Sequence, residues 1–172
     1  WKLFAVLVLG GLQGALGWYM VASGLVERPD VSHYRLAAHL GLALFLYAAL
    51  LWLAFRVWLP EPIGWGLDPP QGLRRATIAA AVLILLLALS GALVAGLDAG
   101  LVYNTFPRMD GEWVPAGVFA GNPFDSIEEV QFLHRWLGVI VAAVLILLWG
   151  RALDSGLPRG GLWAFHALVA IL

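Results

Sequence analysis

Cysteine is absent from the 172 residues, which excludes a disulfide or a thiolate metal site within them. Charge is scarce as well. Asp, Glu, Lys and Arg make up 12% of the chain, against roughly a quarter in soluble domains. The net charge of −1 gives no electrostatic reason to expect nucleic acid. Proline is missing from every long apolar run. Pro29, Pro60, Pro62, Pro69, Pro70, Pro107, Pro115, Pro123 and Pro158 all fall between the runs, as unbroken helices joined by turns require.

Apolar residues fill most of the rest. They are 62% of the chain, and mean hydropathy is +0.86. They come in stretches of about 20, the length that carries a helix across a bilayer. Four spans are predicted, at about Lys2 to Leu25, Tyr34 to Leu59, Arg74 to Leu97 and Val130 to Gly150. A fifth starts near Gly161 and reaches Leu172, about 18 Å at ~1.5 Å per residue and too short to cross. The fold class expected is an all-α integral membrane protein embedded in a lipid bilayer. The first residue is Trp1 and the last lies within an apolar run. We therefore expect a piece of a longer membrane protein, and no removed signal peptide.

Charge sets the expected orientation. Lys2, Arg56, Arg74, Arg75, Arg151 and Arg159 cluster on one side and should face the cytoplasm or matrix. Loops 26–33 and 98–129, rich in acidic residues, should then face outward. Trp52, Trp58, Trp149 and Trp163 mark the inner interface, and Trp18, Tyr19 and Trp136 the outer one.

The chain also repeats itself. Gly11-Leu-Gln-Gly-Ala-Leu16 matches Ala88-Leu-Ser-Gly-Ala-Leu93. Each is followed by an outer loop and then a helix with a histidine about one turn in, His39 or His134. Two copies of one helix–loop–helix unit point to a duplicated bundle.

Ionisable groups within a membrane helix are costly and are functional candidates by default. A neutral imidazole at this depth can ligate heme iron, with another helix giving the second axial ligand. Arg35 precedes His39 by one turn on the same face, and Arg135 adjoins His134; either can reach a propionate at the rim. Gly10, Gly11, Gly14 and Gly17, with Ala88, Ala92 and Gly96, form small faces that admit a close helix or a flat ring. Plainer roles fit some of these residues. A lone membrane histidine can simply bond a neighbouring helix, the glycine faces can be packing, and the arginines can be interfacial anchors. Two histidines at equivalent places favour ligation. His33, in a short outer loop, is expected at the surface; His166, on the opposite side from the pair, is expected to pack. The acidic residues of loop 98–129 are expected in solvent. These readings admit an electron carrier, a heme enzyme or a heme transporter, though transporters favour broken helices.

Three stretches resemble the heme A synthase family. They are Gln13-Gly-Ala-Leu-Gly-Trp-Tyr-Met-Val-Ala-Ser-Gly-Leu25 with Val31-Ser-His-Tyr-Arg-Leu-Ala-Ala-His-Leu-Gly41; Ala95-Gly-Leu-Asp-Ala-Gly-Leu-Val-Tyr-Asn-Thr-Phe-Pro-Arg-Met-Asp-Gly111 with Trp113-Val-Pro115; and Asn122-Pro-Phe124 leading into Val130-Gln-Phe-Leu-His-Arg135. They cover nearly the whole chain in the family's order. The likeness is greatest to the mitochondrial and proteobacterial branch. The resemblance implies part of an eight-helix protein made of two pseudo-symmetric four-helix bundles. Residues 1–59 would be the last two helices of the N-terminal half and 60–73 an inner loop. Residues 74–172 would hold two full helices and a truncated third of the C-terminal half.

The resemblance also implies an enzyme that oxidises a ring methyl of heme O to a formyl group, giving heme A. His39 would ligate the iron of the substrate, heme O, with Arg35 beside it. His134 would ligate heme b, the redox cofactor, with Arg135 beside it. Partner ligands and an acidic catalytic residue would lie outside these residues. Heme O synthase and cytochrome oxidase assembly factors are the implied partners, and a homo-oligomer is admitted. The implied location is the bacterial plasma membrane, with the mitochondrial inner membrane as alternative. The competing reading is a b-type cytochrome that carries electrons without modifying heme.

Overall fold

The structure is a computed structural model that describes residues 1–24, 31–58 and 69–171. Residues 25–30, with Glu27, Arg28, Pro29 and Asp30 of the expected outer loop, the segment 59–68 and Leu172 lie outside the described residues. Five α-helices follow in order: α1 (Lys2–Gly24), α2 (His33–Trp58), α3 (Gln71–Gly96), α4 (Ile127–Leu153) and α5 (Arg159–Ala170). Among the described residues there is no strand. The first four helices are long and apolar enough to cross a membrane, and α5, at 12 residues, is not.

The helices match the predicted spans, with starts moved by local chemistry. Helix α4 begins three residues before Val130 because Ser126 caps it. The Ser126 hydroxyl accepts from the Glu129 amide at 3.3 Å, and its carbonyl accepts from the Val130 amide at 2.9 Å. Glu128 and Glu129 in the first turn and Arg151 in the last complement the helix dipole. Helix α3 starts at Gln71, directly after Pro69 and Pro70, and the Pro70 carbonyl accepts from the Arg74 amide at 3.1 Å.

The chain divides into two compact units. One consists of residues 1–54 and 88–135, the other of residues 55–87 and 136–172. The second unit has a continuous apolar seam. Leu73 and Ala80 of α3, seven residues apart, meet Val141, Leu145, Leu148 and Ala152 of α4, with Leu162 and Phe165 of α5 against them. That spacing is the stripe one helix presents to another. In lipid such a seam is held by close packing, because tails are as apolar as the side chains. His166 packs here as expected: it accepts a 2.9 Å hydrogen bond from Trp149 Nε1, and the Trp163 ring stands 6.1 Å away.

The first unit carries the histidine pair. Helices α1 and α2 contribute to it with the C-terminal end of α3, the connection 97–126 and the first turns of α4. Within it α3 comes close to α2: a Cβ on Gly96 would stand 2.7 Å from the His33 Cα. Only glycine fits there.

Candidate functional site

In both halves of the repeat the histidine meets the preceding long helix, at different ring nitrogens and at glycines that are not repeat equivalents. In the first, the Gln13 amide of α1 donates to the His39 carbonyl at 3.1 Å and stands 3.3 Å from its Nε2. The bare backbone of Gly17, one turn further along α1, lies against the ring, so that a Cβ there would be 2.9 Å from Cε1. His39 Nδ1 is buried without a hydrogen-bond partner among the described residues. In the second, the Ser90 hydroxyl of α3 meets His134 Nδ1 at 2.8 Å, and Gly91 lies under the ring, where a Cβ would be 3.2 Å from Cε1. Gln13 and Ser90 occupy the same place in the sequence repeat. Each histidine is thus gripped by the preceding long helix, at a polar side chain and a glycine.

The arginines behave differently from one another. Arg35 faces α1 like His39. It donates to the Ser23 hydroxyl, and its guanidinium lies 4.9 Å from the Tyr19 ring centre. Arg135 turns to the 97–126 connection and donates to the carbonyls of Tyr103 and Thr105. Gln131, one turn earlier on α4, donates to the same Tyr103 carbonyl at 2.8 Å. Two α4 side chains on either side of His134 in sequence therefore hold one point of the connection. No hydrogen bond joins His39 to His134 among the described residues.

The connection itself is ordered by local bonds. It holds a single 3-10 turn at Ala99–Leu101 and a paired turn in which Met109 and Glu112 exchange amide–carbonyl bonds of 2.9 and 3.1 Å. Thr105 Oγ1 donates to the Arg108 carbonyl and accepts from the Asp110 amide. Burial pushes the Tyr103 phenol above its ordinary value, and the carboxylates of Glu128 and Asp110 push the same way.

Two expectations need correction. His33 is not an exposed loop residue. It is the first residue of α2, its side chain is 15% accessible, and its Nε2 stands 2.9 Å from Asp125 Oδ1. Asp125 comes from 92 residues away, a partner no local pattern reveals. Asn122 donates to Asp125 at 2.5 Å, and Tyr34 bonds it as well. Nor is every acidic residue of 98–129 in solvent. Glu129 is buried at 3% exposure, with Oε2 lacking a partner among the described residues. Sequence reasoning also passed over Gln13 and Ser90 as site residues. The signal was present, since they are hydrogen-bonding side chains at matched positions within apolar runs.

Comparison with known proteins bears out the resemblance read from the motifs. All of residues 1–172 match the family model described as cytochrome oxidase assembly protein. The chain is 45% identical to a heme A synthase of Nitrosospira multiformis, over 86% of this chain and 43% of that one. It is 46% identical to heme A synthase COX15 of Bos taurus, over 96% of this chain and 44% of that one. A heme A synthase of Nitrosomonas eutropha is 41% identical over 99% of this chain and 50% of its own. The chain spans about half the length of the curated relatives it matches. No solved structure matches it. With a family match along its full length and four membrane-length helices, this multi-pass membrane chain belongs to the cytochrome oxidase assembly protein family.

Proposed function

We propose that the full-length protein is a heme A synthase, oxidising the ring methyl of heme O to the formyl group of heme A with heme b as cofactor. The observation that carries this reading is the matched pair, His39 on Gly17 beside Gln13 and His134 on Gly91 beside Ser90. It stands in a chain 41–46% identical to proteins named heme A synthase.

The donor set suits a porphyrin iron. No cluster of three or more His, Cys, Asp or Glu that could hold a bare metal ion occurs among the described residues. A heme brings four nitrogens of its own and asks the protein only for axial ligands. His39 Nε2 meets only the neutral amide of Gln13, at 3.3 Å, which iron can displace, and His134 Nε2 carries no hydrogen bond among the described residues. On this reading His39 holds the iron of heme O and His134 that of heme b, with second ligands from outside this chain. Bound heme iron supplies the redox chemistry of the methyl oxidation. His39 and His134 would hold the two hemes, and Arg35 and Arg135 would offer guanidinium donors to their propionates. Arg35 keeps donors beyond its bond to Ser23, and Arg135 keeps donors beyond its bonds to the connection, since a guanidinium has five. The connection 97–126, pinned to α4 at Tyr103, would shield a bound heme from water.

The same reading gives eight helices in two four-helix halves. Residues 1–59 end the first half, 60–73 form an inner loop, and 74–172 belong to the second. The basic ends of the helices face the cytoplasm of a bacterial plasma membrane, or the matrix if the membrane is the mitochondrial inner one. Heme O synthase and cytochrome oxidase assembly factors are the expected partners, and a homo-oligomer is compatible with the fold.

The test is to express the full-length protein in a host that makes heme O but no heme A, then separate the extracted hemes by chromatography. Heme A or its hydroxylated precursor should appear with the wild type and disappear with His39→Ala and His134→Ala. Bound heme b with no new heme product would sink the synthase and favour the electron carrier.

A further inference from the structure

The two histidines are not held at the same nitrogen, and the difference has a functional consequence. Ser90 contacts His134 at Nδ1 and leaves Nε2 without a hydrogen bond among the described residues. Gln13 lies against His39 at Nε2, anchored there by its second bond to the His39 carbonyl, and Nδ1 is the nitrogen left alone. That carbonyl bond fixes which end of the Gln13 amide faces the ring, because only the NH2 end can donate to a carbonyl.

A ligating histidine usually donates its other N–H to an acceptor, which fixes the tautomer and strengthens the ligand. A Ser90 hydroxyl accepting from Nδ1–H puts the His134 lone pair on Nε2, the nitrogen with no hydrogen bond among the described residues. His39 has the reverse arrangement. Its Nε2 is covered by an amide, and its Nδ1 has no acceptor to strengthen it. We propose that Gln13 is an exchange latch and Ser90 a lock: Gln13 occupies the ligating nitrogen of His39 whenever iron does not, whereas Ser90 keeps His134 permanently set for iron. The inference rests on the reading of both histidines as axial ligands. It assigns rapid heme exchange to the His39 site and lasting retention to the His134 site. An enzyme that must release a heme product while keeping a heme cofactor needs that asymmetry. Gln13 and Ser90 are positioning residues, since each acts through its histidine.

The experiment loads purified full-length protein with ferric heme b and follows its transfer to excess apomyoglobin. A His134→Ala background isolates the His39 site, and a His39→Ala background isolates the His134 site. Gln13→Leu and Gln13→Met, both close in volume to glutamine, remove the competing amide. Each should slow heme loss from the His39 site by about fivefold, the worth of one hydrogen bond. Ser90→Ala should speed heme loss from the His134 site by roughly ten- to a hundredfold, as loss of a second-shell partner does. It should also move that heme to a more positive potential, because an imidazole without an acceptor at Nδ1 is the poorer donor. Ser90→Thr, which keeps the hydroxyl, should restore both. The latch and lock are overturned if both histidines retain heme but the Gln13 variants lose it as fast as wild type or faster, or if Ser90→Ala leaves rate and potential unchanged. If neither histidine variant reduces bound heme, the axial-ligand reading itself fails, and this inference with it.

Discussion

The imidazole of His39 rests on the backbone of Gly17 so closely that a Cβ at residue 17 would stand 2.9 Å from Cε1 and 3.5 Å from Nε2. Real contacts to Cβ atoms are longer than the first of these, so Gly17→Ala must push the ring off its place. Overpacking of this kind costs about 1–3 kcal/mol. We expect Gly17→Ala to weaken heme retention at the His39 site by about tenfold or more. Gly91→Ala should do less at His134, since its Cβ would be 3.2 Å from Cε1 and a shift of a few tenths of an ångström accommodates it. Heme-to-protein ratios after purification check both, and an equal loss in the two variants would contradict the ranking.

Arg135 should not be replaceable by lysine. Its two terminal nitrogens donate separately to the carbonyls of Tyr103 and Thr105. A lysine ammonium is a single compact charge that does not reproduce this fork. Hydrogen bonds from a charged donor are worth about 1.5–3 kcal/mol each when buried and less where solvent reaches them. Arg135→Lys should leave the helices intact but free the 97–112 segment. Limited proteolysis within that segment should accelerate several-fold. A cleavage rate unchanged from wild type would mean that Gln131 alone holds the connection.

The helices were legible in the sequence because their cause is local. Runs of about 20 apolar residues and prolines kept to the gaps between them are conditions on neighbouring residues, and α1 to α4 follow from them. The repeat was legible too, and it led to His39 and His134. The partners of these histidines were harder to read. Gln13 and Ser90 differ in length and chemistry, so their shared role appears only when the preceding helix is seen against the ring. His33 and Asp125, or Arg135 and the Tyr103 carbonyl, meet across 92 and 32 residues. A single sequence carries no local trace of such pairings. The burial of Glu129 was missed for a related reason: acidity predicts a solvated loop, but the Ser126 cap starts α4 early and turns Glu129 inward.

Asp125 should matter more as a hydrogen-bond acceptor than as a charge. It faces His33 at 2.9 Å and accepts from Asn122, and Tyr34 bonds it too. Its side chain is 49% accessible, so solvent screens the ion pair to about 0–1 kcal/mol. Asp125→Asn keeps an acceptor oxygen and should shift thermal unfolding in detergent only slightly, with little dependence on salt. Asp125→Ala removes the whole junction and should destabilise by about 1 kcal/mol more. If the two variants melt together, the pair with His33 acts through charge and the network argument is wrong.

Glu129 offers the opposite case, a buried carboxylate with an oxygen that holds nothing among the described residues. It is 3% exposed, near the start of α4, and Oε2 has no hydrogen-bond partner. Its backbone amide is satisfied by Ser126, but that bond belongs to the cap and survives any change of side chain. A buried acceptor without a partner costs about 1–3 kcal/mol, and more when it is charged. Glu129→Gln keeps the shape of the side chain while removing the charge. It should therefore raise the midpoint of thermal unfolding of the full-length protein in detergent. Gln131→Leu, one position beyond Val130, should lower it, because that residue's amide holds the Tyr103 carbonyl at 2.8 Å. The opposite signs of two neighbouring substitutions are the measurable result. A Glu129→Gln protein that melts well below wild type would show that a cation outside the described residues reaches the carboxylate. Glu129 would then have to be counted as one half of a buried pair.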